Sequence, residues 1–351
     1  MNEQTRALLD KLHTEHRLDA SGYALLLADA DADTRAYAAA LADAVRREQF
    51  GNGVFLRGLI ELTNFCRCDC FYCGIRRSNT NAERYRLTPE DVLACCANGY
   101  ALGFRTFVLQ GGEDPWFTDD RLVPLVAEIR ERYPGCAITL SLGERSSESY
   151  RALRSAGADR YLLRHETADA EHYARLHPAE ASWQHRMDCL HQLKDLGFQT
   201  GCGFMVGSPG QTNAHLVKEL LFVQEFRPAM CGIGPFLPHA DTPFAHEAAG
   251  SLHTTLYLLS LLRLIKPDLL LPATTALATL DPAGREQGIL AGANVIMPNL
   301  SPADVRGKYL LYNNKAHTGL ESAEGRTALQ QQLERIGFQI VTARGDAPDL
   351  Q

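Results

Sequence analysis

The residues most able to do chemistry lie together in the segment Glu61-Leu-Thr-Asn-Phe-Cys66-Arg-Cys-Asp-Cys70-Phe-Tyr-Cys73-Gly74. Cys66, Cys70 and Cys73 follow the spacing C-x3-C-x2-C. A short loop with that spacing can wrap three thiolates around three corners of an iron–sulfur cube, leaving the fourth iron open to a small molecule. A closed structural zinc site asks for a fourth protein ligand. Cys68 is the nearest further donor, but thiolates two residues apart on a tight loop rarely converge, and it is read as a bystander. No histidine lies between His16 and His165 to complete such a set from nearby. A structural metal knot in a non-catalytic protein is the plain alternative. The other six cysteines (Cys95, Cys96, Cys136, Cys189, Cys202 and Cys231) are scattered through 351 residues, unlike the density of a secreted disulfide scaffold, so reduced thiols are expected.

The elements that must position this loop can be read from hydrophobic pattern. Residues 1–50 read as helical, with Leu8, Leu9 and Leu12 at helical spacing and an alanine-rich stretch from Ala36 to Val45. From Val54 onward, short β-rich runs alternate with amphipathic segments. The candidate strands are Val54–Thr63, Arg105–Gln110, Ala137–Leu142, Asp159–His165, Gln199–Val206, Met230–Phe236, Leu269–Thr274 and Ala293–Met297. Thr88-Pro89-Glu90-Asp91, Thr118-Asp119-Asp120 and Ser146-Ser147-Glu148 are helix starts. Gly103, Gly157 and Gly197 each stand just before the next strand, where a helix stops through a left-handed residue.

Strict alternation over eight units implies a parallel sheet, and about 250 residues for eight units fits a closed (βα)8 TIM-type barrel in the α/β class. A doubly wound open sheet would favour a dinucleotide fingerprint, but Gly201-Cys202-Gly203 is followed by Phe204, Met205 and Val206, which misplaces the third glycine. The predicted organisation is a helical N-terminal extension over 1–50, a barrel over 51–315 and a C-terminal extension over 316–351 packed on it. Within the last, Leu320–Leu350 reads as a polar helix followed by the short apolar run Ile336–Val341.

Composition narrows the function classes. Hydrophobic residues make up 45% and charged residues 22%, as in an ordinary globular enzyme. A formal charge of −7 gives no broad cationic field for a phosphate backbone, so no nucleic-acid partner is expected. The polar N-terminus lacks the apolar core of a secretory signal. The apolar stretch Leu256 to Leu280 is broken by Arg263, Lys266, Pro267 and Asp268, so no membrane span is expected and the location is read as cytoplasmic.

Placed at the end of the first strand of a βα pattern, Cys66, Cys70 and Cys73, with Tyr72 before the last, resemble the signature of the radical S-adenosylmethionine (radical SAM) superfamily. Gln110-Gly111-Gly112-Glu113 resembles its Gly-Gly-Glu motif, in which glycines let the backbone approach and a carboxylate or carbonyl accepts hydrogen bonds from the methionine amine. Longer passages are similar to the HydE family of iron–iron hydrogenase maturases. They include Arg84-Tyr-Arg-Leu-Thr-Pro89, Val108-Leu-Gln-Gly-Gly-Glu-Asp-Pro115, Thr139-Leu-Ser-Leu-Gly-Glu144, Arg160-Tyr-Leu-Leu-Arg-His-Glu-Thr-Ala168, Gly232-Ile-Gly-Pro-Phe236 and Pro272-Ala-Thr-Thr-Ala276.

The resemblance implies one 4Fe-4S cluster on Cys66, Cys70 and Cys73, and SAM held by Tyr72, Gln110, Gly111, Gly112, Glu113, Ser141, Glu166, Arg186 and Ile233. Glu166 would take the ribose hydroxyls and Arg186 the SAM carboxylate, as a carboxylate and a planar guanidinium suit those partners. Arg164, Thr139, Thr274, Thr275, Tyr309 and Tyr312 are expected around a small anionic substrate. The implied reaction is reductive cleavage of SAM to a 5′-deoxyadenosyl radical, acting on an iron–cysteine species with carbonyl and cyanide ligands. Transient contacts with other hydrogenase maturases and a one-electron donor are implied too. The last cysteine is Cys231, so the second cluster that some family members carry near the C-terminus is not expected. The nearest rival enzyme is a related barrel such as methylornithine synthase. A biotin synthase would need further cluster ligands, and Cys136 and Cys202 are too few.

Overall fold

The computed structural model describes residues 1–316 and 319–348. Leu350, the last residue of the expected C-terminal stretch, lies outside them. Three helices open the chain: α1 (Glu3–Glu15), α2 (Ala20–Ala28) and α3 (Ala32–Phe50). The side chains of Asn2, Asp19 and Asp31 cap them by accepting from the amides of Thr5, Gly22 and Thr34.

The first expected strand is two, β1 (Gly53–Leu56) and β2 (Gly58–Thr63), parted at Arg57. There follow α4 (Pro89–Ala101), β3 (Thr106–Gly111), α5 (Asp119–Arg132), β4 (Ala137–Ser141), α6 (Ser147–Ser155) and β5 (Arg160–Leu162). Next come α7 (Ala170–Leu176), α8 (Trp183–Asp195), β6 (Gln199–Cys202), β7 (Met205–Val206) and α9 (Asn213–Phe226). The barrel finishes through β8 (Met230–Cys231), β9 (Gly234–Pro235), α10 (Leu252–Ile265), α11 (Thr275–Leu280), α12 (Gly284–Leu290), β10 (Val295–Ile296) and α13 (Ala303–Arg306). The chain then makes α14 (Arg326–Arg335) and β11 (Gln339–Val341).

Strands β2-β3-β4-β5-β6-β8 form one parallel sheet. Bridges Met230↔Leu270, Pro272↔Val295 and Leu59↔Asn299, with β10 beside β1, carry the pairing round until the sheet meets itself. The sheet is therefore a closed barrel, as the alternation predicts. The expected strand Leu269–Thr274 is reduced to those bridges, since Pro272 has no N–H to give a ladder. Helices cover the outside while side chains fill the inside, so Phe107, Val108 and Leu109 of β3 are all buried. Thr88 and Asp91 cap α4 reciprocally with Pro89 in its first turn. Gly103, Gly157 and Gly197 sit at φ +91°, +113° and +77°, the left-handed stops expected of them.

The C-terminal run Ile336–Val341 holds a strand rather than a loose apolar patch. β11 pairs parallel with β1, on the edge away from β10. The tail beyond it runs under the N-terminal ends of the strands. Arg160 donates to the Arg344 carbonyl and to Asp346 at 2.8 and 2.6 Å, and Gln199 donates to Asp346 at 2.9 Å. Ala347 is buried against Ala229, Met230, Leu270 and Val295. This end of the barrel is shut, so small molecules must enter from the other. Among the described residues no helix is long and apolar enough to cross a membrane.

Candidate functional site: a three-thiol loop at the barrel mouth

The chain leaves β2 at Thr63 and returns to helix at α4, so residues 64–87 arch over the C-terminal ends of the strands. Polar contacts fix the arch. Thr63 donates to Asp114 at 2.9 Å, and Arg86 grips the same carboxylate at 2.6 and 3.0 Å. Asn64 donates to the carbonyls of Glu83 and Lys308 at 2.8 and 2.7 Å, and Arg76 forms a fork on Asp69 at 2.8 and 2.7 Å. Gly112 must lack a side chain, because a Cβ there would lie 2.2 Å from the Phe65 carbonyl and 2.8 Å from the Cys66 Cβ.

Cys66, Cys68, Cys70 and Cys73 are all half-buried free thiols. Hydrogen bonding from Cys68, whose amide lies 3.4 Å from the Cys66 sulfur, favours the Cys66 thiolate and pushes the Cys68 thiol up. Burial pushes Cys70 up to about 12 and Cys73 well above the ordinary thiol range, and negative charge on their neighbours adds to both. A positively charged metal core would hold Cys70 and Cys73 deprotonated beside the Cys66 thiolate, which is already favoured. Among the described residues no group of three His, Cys, Asp or Glu side chains converges as a single metal ion requires. A cube meeting each thiolate at a separate iron asks for no such point of convergence. The donor set therefore fits an iron–sulfur cluster on Cys66, Cys70 and Cys73.

Opposite the thiols lies a charged rim. Arg186, on α8, approaches Glu144 at 2.6 Å and Glu113 at 3.5 Å, and donates to the Arg164 carbonyl at 3.3 Å. Burial weakens its charge, but Glu144, Tyr173 and Glu113 outweigh that and keep the guanidinium ionised. Glu113 also receives Arg67 at 3.1 Å and the Glu144 amide at 3.0 Å. Gly111 ends β3, and Gln110 stands level with Glu61 and Ser141 across the sheet. A cavity of about 540 Å³ opens beside this rim, lined by Arg67, Glu113, Glu144 and His185 among others, with none of the four loop cysteines in its lining.

Glu166 has φ +65°, an unusual conformation for a side chain of that size, and its amide bonds to the Gly203 carbonyl at 3.0 Å. The neighbouring His165 supports this turn from the core. Its Nδ1 accepts from the Gly203 amide at 3.3 Å, which leaves Nε2 to donate to buried Glu219 at 2.7 Å. Arg164 Nη2 and Glu166 Oε2 form a buried ion pair at 3.1 Å that lacks hydrogen-bond geometry, and Arg164 Nε is buried with no hydrogen-bond partner among the described residues. A buried polar atom without a partner is costly, so Arg164 Nε retains capacity for a polar ligand. Ile233 is buried between β8 and β9.

The expected substrate residues divide. Thr139 Oγ1 and Thr274 Oγ1 are buried with no hydrogen-bond partner among the described residues. Thr275 instead donates to Glu321 at 2.7 Å. Tyr309 is buried, with its hydroxyl 3.5 Å from Gln110 Nε2, and burial pushes Tyr312 up. Both belong to a strap over the barrel mouth that is tied down by Gly74 donating to Leu311 and Asn313 donating to Pro238, at 2.9 and 3.0 Å. Lys315 anchors the strap on buried Glu61 at 2.5 Å.

Sequence reasoning gave no role to Glu61, Glu144, His165, His177 or Glu219. Glu61, Glu144 and His165 stand inside the motif passages, the one signal available. His177 carried none: it receives the Tyr72 hydroxyl at 3.2 Å and donates to the Tyr173 carbonyl at 2.9 Å.

Comparison with known proteins agrees with this geometry. A family model for the radical SAM superfamily matches residues 60–223. The chain is 48% identical over 275 residues to the FeFe hydrogenase maturase subunit HydE of Thermotoga maritima, covering 78% of each. It is 30% identical over 262 residues to 3-methylornithine synthase of Methanosarcina acetivorans, covering 74% of this chain and 73% of that one. A crystal structure of methylornithine synthase matches with TM-score 0.82 at 26% identity, over 95% of this chain and 97% of that one. The FeFe-hydrogenase maturase HydG of Carboxydothermus hydrogenoformans matches with TM-score 0.79 at 18% identity, over 97% and 80%, a likeness of fold alone. With its three-thiol loop at the mouth of a closed barrel, the chain is a radical SAM enzyme and belongs to the HydE family of hydrogenase maturases.

Proposed function

We propose that this enzyme binds one 4Fe-4S cluster on Cys66, Cys70 and Cys73, cleaves SAM reductively, and acts on an anionic iron–cysteine precursor with carbonyl and cyanide ligands. The observation that carries the reading is the set of three half-buried thiols, Cys66, Cys70 and Cys73, on one loop at the barrel mouth, while Arg164 Nε, Thr139 Oγ1 and Thr274 Oγ1, buried without hydrogen-bond partners among the described residues, offer polar capacity for an anion. When bound, the cluster supplies the electron that splits SAM into methionine and a 5′-deoxyadenosyl radical.

The chain's own residues then have distinct tasks. Gln110, Gly111, Gly112 and Glu113 meet the methionine amine, which a carboxylate and carbonyls can accept. Arg186 exchanges part of its contact with Glu144 and Glu113 for the SAM carboxylate. Glu166 accepts the ribose hydroxyls, while Tyr72, Ser141 and Ile233 line the nucleoside. Arg164, Thr139, Thr274 and Thr275 receive the substrate's negative charge, which a guanidinium and hydroxyls stabilise strongly away from water. Tyr309 and Tyr312 cover it from the strap, so that the closed bottom and the strap together shield a reactive radical from water and bystanders. The other partners are a one-electron donor and, transiently, further hydrogenase maturases, in the cytoplasm; nucleic acid and membrane have no part.

The test is anaerobic reconstitution with iron and sulfide, followed by 5′-deoxyadenosine measurement with and without the iron–cysteine precursor. Turnover that rises with the precursor is expected. Protein that takes up zinc but no iron, or that never yields 5′-deoxyadenosine, overturns the reading. Cleavage indifferent to the precursor overturns the substrate.

A further inference from the structure

In the passage Arg84-Tyr-Arg-Leu-Thr-Pro89, Arg86 fixes the arch through Asp114, and the first residue holds a more unusual place. The Arg84 guanidinium donates from Nη1 to the carbonyls of Asn64 and Ile75, the latter at 2.8 Å, and from Nη2 to those of Arg76 and Asn79 at 2.6 and 3.0 Å. Asn64 stands two residues before Cys66, and Ile75 two residues after Cys73. One rigid fork therefore joins the two ends of the ligand segment. A lysine offers its three donors from a single nitrogen and cannot span four carbonyls.

Its charge is equally distinctive. Arg67 pairs with Glu113, Arg76 with Asp69, Arg77 with Glu180, and Arg86 with Asp114. Arg84 has four neutral carbonyls and, among the described residues, no carboxylate. It is close enough to Cys66 and Cys73 for their charge to act on it, although burial is the larger influence. Three thiolates leave a cluster of that kind anionic, and more so once reduced. An uncompensated cation nearby favours the reduced form.

We propose that Arg84 is the positioning residue of the cluster loop: it clamps the two ends of the cysteine segment and supplies the positive charge that eases reduction of the cluster. The proposal rests on the cluster reading of the three thiols.

Wild-type protein, Arg84→Lys, Arg84→Gln and, as control, Arg77→Gln are reconstituted anaerobically. Iron release to a chelator is timed, and the cluster is titrated redox-wise by electron paramagnetic resonance. Arg84→Lys is expected to release iron at least fivefold faster than wild type while its midpoint potential stays near the wild-type value. Arg84→Gln is expected to release iron as fast or faster, with the reduced-to-oxidised ratio at a fixed potential falling about tenfold, or about 59 mV for one electron. Arg77→Gln should match wild type in both. Failure of either Arg84 variant to take up a cluster, with apoprotein melting as wild type does, supports the clamp. Iron release within twofold of wild type in both Arg84 variants overturns the clamp, and an unchanged potential in Arg84→Gln overturns the charge role. Should wild-type protein itself take up no cluster, the reading of the thiols fails rather than that of Arg84.

Discussion

Replacing His177 with phenylalanine should remove a defined part of the acid sensitivity of this fold. His177 is 3% exposed and stacks on Tyr173 with ring centroids 3.8 Å apart. Both ring nitrogens are committed: Nδ1–H donates to the Tyr173 carbonyl and Nε2 accepts from the Tyr72 hydroxyl. Burial lowers its pKa from the ordinary 6.5 to about 4. The unfolded chain therefore binds a proton that the folded chain refuses between these values, and stability is full above pH 6.5 and falls as pH drops toward 4. At about 1.36 kcal/mol per unit, the whole effect is about 3 kcal/mol, and about 2 kcal/mol of it is lost by pH 5. Urea unfolding of the reduced, metal-free protein at pH 7.5 and pH 5 measures it. A phenyl ring cannot titrate, so the His177→Phe variant should lose about 2 kcal/mol less than wild type over that interval, even though losing two hydrogen bonds makes it less stable at pH 7.5. Equal losses in the two proteins would refute a neutral, buried His177. The same contact orients Tyr72 in the cluster loop, so the variant should also bind SAM more weakly.

Three further outcomes follow from the geometry. Cys68→Ser should retain iron and SAM cleavage in the reconstitution assay, whereas Cys70→Ala should lose both; the reverse pattern would place the ligands elsewhere. Gly112→Ala would press a methyl against the Phe65 carbonyl and Cys66, so it should lower iron uptake and cost about 1–3 kcal/mol of apoprotein stability in urea. Asp346→Ala strips the fully buried Arg160 of its carboxylate partner at the barrel floor and should cost about 3 kcal/mol by the same measurement, with wild-type stability as the refuting result.

Much of the fold was legible because local chemistry dictates it. A threonine or serine followed by early carboxylates starts a helix from local chemistry, and a glycine ahead of an apolar run stops one, so α4, α5 and α6 begin where Thr88, Thr118 and Ser146 place them. The cysteine spacing is a property of a short loop, and it too survives without knowledge of the rest. Pattern failed where long-range pairing governs. The modest run at 339–341 becomes a strand because β1 has an open edge beside it, whereas Leu269–Thr274, with a strand's composition, is cut to bridges by Pro272.

The candidate site divides in the same way. Residue types and order along the chain announce three thiols, a Gly-Gly-Glu turn and an arginine–glutamate pair. Which charges face one another depends on elements far apart in sequence. Arg186 meets Glu144 across 42 positions, Lys315 reaches Glu61 across 254, and His165 finds Glu219 in the core. Burial was equally out of view: Asp346 closes the barrel floor only because a tail with no pattern of its own lies under Arg160. A linear pattern records what each residue can do to its near neighbours, whereas desolvation and charge pairing are set by whatever the closed barrel brings to the same few ångströms.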